Sequence, residues 1–257
     1  MYQYLLTSTE NLTLTITLNR PQVLNALNTT VLSELDMVLE AARTDDQVRG
    51  IILTGSGEKA FAAGADIGEF QGLDQNTGQE LSRKGQELMA RIEAYPKPIV
   101  AAVNGFALGG GCELAMSCHI RVAAENARFG QPEVKLGLVA GYGGTQRLVQ
   151  LIGKAKAIEL LITTDMLDAN EAHRLGLVNY VTPQSDLLGK CEEILQKTYK
   201  QSPLAIALTL EAIYAGVNSE AGYPTESHNF GKSVVSEDGI EGATAFREKR
   251  APNFTGK

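Results

Sequence analysis

The sequence predicts an α/β fold in which a strand–turn–helix unit is repeated and then gives way to a mostly helical C-terminal region. Three observations carry this. The short apolar runs at 50–55 and 99–103 read as strands buried on both faces. Each leads through a Gly/Ala-rich turn, at 61–67 and 104–111, into a stretch with apolar residues at helical spacing. From about residue 153 nearly every segment has a helical pattern, with one short strand expected at 178–181.

The elements follow in order. Leu12, Leu14, Ile16 and Leu18 alternate with polar residues, the mark of a half-buried strand, and residues 2–6 are expected to be its hairpin partner. The N-terminal Met-Tyr-Gln-Tyr-Leu-Leu has neither a cationic region nor a long apolar core, so it reads as strand rather than signal peptide. Val31, Leu32, Leu35, Val38, Leu39 and Ala42 predict an amphipathic helix over 28–43. Leu81, Leu88, Met89, Ile92 and Tyr95 predict another over 78–94, stopped by Pro96-Lys97-Pro98. A strand is expected at 120–124, a turn at 129–133 and a helix from about Thr145. Helices are then expected at 153–162, 168–175, 185–200, 203–216 and 237–248. Residues 1–195 form the repeated-unit core on this reading, and 196–257 the helical C-terminal region.

Composition bounds the function. The 257 residues, 44% of them hydrophobic, suffice for one large domain with an appendage. A formal charge of -7 without any basic run argues against nucleic acid as a partner. An anionic ligand would have to be held by local cations or backbone N–H groups. The three cysteines, Cys112, Cys118 and Cys191, form no metal-binding pattern and fit reduced thiols in a cytoplasmic protein. No apolar run is long enough to span a membrane. The glycine-rich Val139–Gly144 lacks the Gly-Lys-Ser/Thr ending of a phosphate loop, and no following acid completes a dinucleotide fingerprint.

The chemistry is concentrated in 104–133. Gly109, Gly110 and Gly111 precede a short helical run, so that unpaired N–H groups and the positive end of the helix dipole face whatever binds there, which suits an oxyanion. Glu113 follows one turn in, and Glu133 follows a second punctuated segment. Ala63-Gly64-Ala65-Asp66-Ile67 is a second tight turn that could supply another N–H donor. Taken singly, each of these segments also reads as a plain Gly-rich connection.

Several blocks, in order, resemble the enoyl-CoA hydratase/isomerase (crotonase) family. They are Leu-Asn-Arg-Pro with Leu-Asn-Ala-Leu at 18–27, Phe-Ala-Ala-Gly-Ala-Asp-Ile at 61–67, and Ala-Val-Asn-Gly-Phe-Ala-Leu-Gly-Gly-Gly-Cys-Glu-Leu-Ala at 102–115. Phe-Gly-Gln-Pro-Glu-Val-Lys-Leu-Gly at 129–137, Gly-Gly-Thr-Gln-Arg-Leu at 143–148 and Glu-Gly-Ala-Thr-Ala-Phe-Arg-Glu-Lys-Arg at 241–250 continue the match. The resemblance implies a crotonase-like spiral of ββα units with a helical C-terminal region that covers the acyl-CoA site and takes part in oligomerisation, as a homotrimer or a dimer of trimers. It implies an acyl-CoA thioester as substrate, the backbone N–H groups of Ala65 and Gly110 as oxyanion hole, and Glu113 and Glu133 as acid–base pair. Ala63, Ala65, Asp66 and Ile67 are implied on the coenzyme A side, with Gly109 and Tyr142 near the acyl group. Phe246 and Lys249 match an aromatic and a lysine of the last helix that approach coenzyme A. No metal or separate cofactor is implied, since coenzyme A arrives with the substrate.

Retention of both glutamates favours reversible hydration of a 2-enoyl-CoA, on short to medium chains, as in fatty-acid β-oxidation. Two other readings stand beside it: a Δ3–Δ2 enoyl-CoA isomerase on the same scaffold, and a noncatalytic RNA-binding relative, which the net charge and intact glutamates count against. The chain departs from the family at Ala140-Gly141-Tyr142, where a tyrosine replaces a small residue and could narrow the acyl pocket or face the interior. His119 stands where the family often has aspartate and is expected to pack or bond locally. Asp66 is suited to capping the short helix that follows it, and Cys112 to packing.

Overall fold

The computed structural model describes residues 2–217, 219 and 221–257; the side chains at 222, 223 and 246 lie outside that description. Strands β1 (Leu5–Glu10) and β2 (Thr13–Leu18) form an antiparallel hairpin. Its partner strand is 5–10 rather than 2–6. The two-residue turn Asn11-Leu12 has φ of 50 and 66°, the left-handed pair that matches strand twist, and it removes Leu12 from the strand. Helix α1 (Thr29–Arg43) starts where the Asn28 side chain accepts from Val31 N at 2.9 Å.

Three strand–strand–helix passages follow. The first is β3 (Gly50–Gly55), β4 (Ala60–Ala62) and α2 (Gln75–Glu93); the second is β5 (Ile99–Val103), β6 (Phe106–Leu108) and α3 (Gly110–Ser117). The third is β7 (Ile120–Ala124), β8 (Arg128–Gly130) and α4 (Gly144–Ile152). In each, the first strand joins a six-stranded sheet closed by β10 (Tyr180–Thr182), of order β1-β2-β3-β5-β7-β10, and the second joins a four-stranded sheet closed by β9 (Leu167–Asp168), of order β4-β6-β8-β9. The chain continues through α5 (Lys154–Thr163), β9 (Leu167–Asp168), α6 (Ala169–Arg174), β10 (Tyr180–Thr182) and α7 (Leu187–Thr198). It ends in α8 (Pro203–Gly216), α9 (Gly222–Val235) and α10 (Glu237–Glu248). Residue 195, where the sequence divided core from C-terminal region, lies inside α7, and α9 was not foreseen.

The large sheet is covered on both faces, which is why its strands read as continuous apolar runs. Ile51 and Leu53 join the main core with α1 and α2, while Ile52, Val100, Ala102 and Val122 pack against Leu187, Cys191, Ile194 and Leu195 of α7. Alternation within one strand thus fills two cores. The crossings from large to small sheet bring the starts of α3 and α4 and the turn after β4 to one place.

Candidate active site

The turn after β4 is held by an earlier segment. Leu27 N donates to Gly64 O at 2.8 Å, Ala63 N to Leu24 O at 3.0 Å and Asp66 N to Leu27 O at 2.8 Å. Ala65 N, between them, donates to no backbone acceptor among the described residues. Gly110 is the first residue of α3, so its N–H has no acceptor within the helix. A Cβ placed on Gly110 would lie 3.3 Å from Ala65 N, so the two donors border one small space. Two neighbouring glycines are required here. Gly109 has φ of 48°, and a Cβ on it would meet Glu133 Oε1 at 2.7 Å. A Cβ on Gly111 would overlap the carbonyl oxygen of Ala62.

Glu113 lies in the first turn of α3 and is only 1% exposed. Its Oε1 accepts from Tyr142 N and Gly144 N, both at 2.7 Å. Burial raises its pKa from the ordinary 4.5 to about 7; the Gly144 N–H opposes this, the Glu133 charge adds to it, and Tyr142 N–H and Arg147 oppose it. Glu133 opens a short 3-10 turn, and burial raises its pKa as well. The buried Gln131, with its amide oriented to suit its neighbours, donates to both Glu133 carboxylate oxygens at 3.0 and 3.1 Å. The 142–144 loop is pinned from behind by Arg147, whose Nη1 donates to Tyr142 O at 2.7 Å while Nη2 pairs with Glu93 at 2.6 Å.

Both glutamates, Ala65, Gly109 and Gly110 border a cavity of about 540 Å³, and so do Ala63, Ile67 and Tyr142. Its walls are mainly apolar, with Phe70, Leu73, Leu81, Leu136, Leu138 and Val139 among them. Asp66 is not on this wall: its carboxylate pairs with Arg20 at 2.9 Å and accepts from Gly68 N at 3.2 Å, capping the short turn at 67–70. Lys249 is exposed just beyond α10 and away from the cavity wall, and the side chain of Phe246 lies outside the described residues. His119 accepts from Ile99 N at Nδ1 (2.9 Å) and meets Glu93 O through Nε2 (3.1 Å); burial lowers its pKa to about 4, which keeps it neutral. Cys112 is buried, and burial followed by the two glutamate charges raises its thiol to about 12, so it is no nucleophile.

Sequence reasoning missed Gln131 and the two N–H groups, of Tyr142 and Gly144, that hold Glu113. Gln131 stands inside a quoted motif, but which way the turn aims it is a tertiary property. The wall residues Leu136, Leu138 and Val139 had a visible signature, an apolar cluster with Val134 just after Glu133 that fits neither strand nor helix spacing; all four are exposed in the structure. A larger groove of about 1040 Å³ runs between α8 and α9, apart from Glu113 and Glu133, and among its described lining residues Glu226 is the one carboxylate.

The comparisons with known proteins agree with this geometry. Residues 8–257 match the family model described as Enoyl-CoA hydratase/isomerase. A short-chain-enoyl-CoA hydratase of Clostridium acetobutylicum is 46% identical over 91% of each chain. A crotonyl-CoA hydratase of Syntrophomonas wolfei is 43% identical over 100% of this chain and 99% of its own. A crystal structure of an enoyl-CoA hydratase from Bacillus anthracis superposes with a TM-score of 0.93 at 38% identity, covering 99% of this chain and 100% of its own. With two backbone donors, the buried carboxylate of Glu113 and the half-buried one of Glu133 at one cavity, and with these likenesses along its whole length, the chain belongs to the enoyl-CoA hydratase/isomerase family.

Proposed function

We propose how the residues divide the work in this enoyl-CoA hydratase. The observation that carries the proposal is the meeting of Glu113, Glu133, Ala65 N and Gly110 N at one apolar cavity. The thioester carbonyl of a 2-enoyl-CoA accepts from Ala65 N–H and Gly110 N–H. As water adds, negative charge gathers on that oxygen, and the two donors with the start of α3 stabilise it; one such donor is worth roughly 3 kcal/mol of barrier. Glu113 Oε1 is occupied by two backbone donors, which favours the ionised form and leaves Oε2 to take a proton from the attacking water. Oxygen bonds to Cβ, and Glu133 delivers its proton to Cα. Gln131 then donates to the carboxylate that Glu133 has become. Dehydration runs the same steps backwards. Two acids whose pKa values are both raised allow one proton to be shared near neutral pH.

The scheme uses protein groups alone, with no metal, flavin or nicotinamide, and coenzyme A enters only with the substrate. Isomerisation is not favoured over hydration, since both acids are present. The assembly we propose is a homotrimer or a pair of trimers. Helix α8 is mostly apolar yet has no fully buried residue, and Ile213 on it and Phe230, Val234 and Val235 on α9 are exposed, a surface that suits another subunit. Among the described residues no helix is long and apolar enough to cross a membrane. A cytoplasmic setting and a role in fatty-acid β-oxidation complete the reading, and nucleic acid has no part in it.

The test is loss of absorbance at the conjugated enoyl-thioester band with crotonyl-CoA. Wild type should turn over, and Glu113→Gln and Glu133→Gln should each fall by about 10²–10⁴-fold. Near wild-type rates in either variant would sink the two-carboxylate mechanism.

A further inference from the structure

The inner face of α2 runs along the cavity. Gly78, Leu81 and Ser82 border it, but Gly85, one turn further on the same face, does not. The reason is Tyr142. Its ring lies so close to Gly85 that a Cβ there would overlap Cδ1 and Cε1. The opposite edge of the ring, Cε2 and Cδ2, lies 3.2 and 3.3 Å from where a Gly110 Cβ would be. One aromatic ring therefore fills the space between α2 and the oxyanion-hole glycine, and it is itself 5% exposed. Its backbone is fixed at both ends of the residue: Tyr142 N donates to Glu113, and Arg147 holds Tyr142 O. The preceding carbonyl, Gly141 O, accepts from Ser82 Oγ at 2.6 Å and from Gln86 Nε2 at 3.1 Å, tying the loop to α2 on either side of Gly85. The loop cannot carry the ring away without breaking the contact with Glu113, and the ring itself is wedged between Gly85 and Gly110.

We infer that the Tyr142 ring, seated on Gly85, is the end wall of the acyl pocket and sets the upper limit of acyl length in this enzyme. The inference rests on the hydration reading above. An acyl chain whose carbonyl sits at Ala65 and Gly110 must run from there along α2, and it meets the ring. A short 2-enoyl group fits in front of the wall; a longer one has to displace it. Removing the ring would extend the cavity along α2 toward Gly85 and the buried Met89 beyond it.

The experiment measures kcat/KM for 2-enoyl-CoA esters of four, six, eight and ten carbons. Wild type should lose about tenfold or more from four to ten carbons, the scale on which an apolar pocket separates chain lengths. Tyr142→Ala and Tyr142→Leu should each raise the ten-to-four-carbon ratio by about tenfold or more. Tyr142→Phe keeps the ring and should keep the wild-type ratio. Gly85→Ala, which pushes the ring toward the substrate, should lower the six-to-four-carbon ratio. Because each readout is a ratio within one variant, general damage to the fold does not imitate it. A flat wild-type profile, or an unchanged ratio in both Tyr142→Ala and Tyr142→Leu, would overturn the inference while leaving hydration standing. A wild type that hydrates none of the four esters would instead overturn the proposed function.

Discussion

Glu113→Gln should make the protein more stable at the pH where it makes it inactive. Glu113 is 1% exposed, and burial raises its pKa from 4.5 to about 7. That displacement, at about 1.4 kcal/mol per pH unit, amounts to roughly 3 kcal/mol. A carboxyl whose folded pKa lies above its unfolded value binds its proton more tightly in the folded state. Its contribution to stability is complete below about 4.5 and is lost as pH rises through about 7. Glutamine has no charge to bury, and its Oε1 can still accept from Tyr142 N and Gly144 N as Glu113 does. The variant should therefore match wild type near pH 4.5 and exceed it by roughly 3 kcal/mol at pH 8. For a chain of this size that is at most about 6–12 °C in Tm. Urea midpoints of both proteins between pH 4.5 and 8.5 give the difference directly, and crotonyl-CoA turnover on the same samples gives the loss of activity. Parallel pH profiles for the two proteins would refute the claim that Glu113 is held as a strained carboxylate.

Three further outcomes are expected. The pH profile of kcat/KM should be bell-shaped, bounded by the two macroscopic ionisations of the Glu113–Glu133 pair, both displaced upward from the usual carboxylate range because burial raises each acid; stopped assays across pH 5–10 would read both limbs. Gly111→Ala drives a methyl group into the Ala62 carbonyl, so stability should drop by about 1–3 kcal/mol in urea titrations. Displacement of the neighbouring Gly110 N–H should cost about 10²–10³-fold in kcat. Arg147→Met leaves Glu93 without its partner and should destabilise by about 3 kcal/mol, whereas Arg147→Met with Glu93→Leu should recover most of that loss.

The large-sheet strands and α1 were legible because burial imposes a period on them: β3 and β5 are buried throughout and apolar but for Thr54, and α1 repeats its apolar residues at helical spacing. The hairpin was misplaced because its turn puts a leucine, Leu12, at positive φ, where asparagine or glycine would have marked it. Helix α9 was hidden by its composition. It contains two glycines and Pro224, and a proline in the first helical turn needs no acceptor for a missing N–H. Packing against α8 rather than intrinsic preference defines it. At the site, the two glutamates and the two N–H donors stand in motifs that can be read in one dimension. Gln131's aim at Glu133 cannot, nor can the seat of the Tyr142 ring: the sequence marks Tyr142 as a departure that could narrow the pocket or face the interior, but its contacts with Gly85 and Gly110 are tertiary. Two motif asparagines turn out to be structural. Asn25 donates to Ser56 O and Ala60 O, and Asn104 to Gly55 O and Gly57 O, stitching the loop between β3 and β4 in place.

The hydrogen bonds between residues 24–27 and the turn at 63–66 bear on the order in which this molecule becomes itself. They link an N-terminal segment to the loop that presents Ala65, while the second donor, Gly110, waits on β5 and β6, and the loop that holds Glu113 comes later still. No contiguous fragment owns the site. In a refolding experiment, compaction and helix content should therefore return before turnover does, and a chain cut between α1 and β3 should recover activity only when its two pieces are reunited. Enzymatic competence in this architecture is a certificate of completed topology.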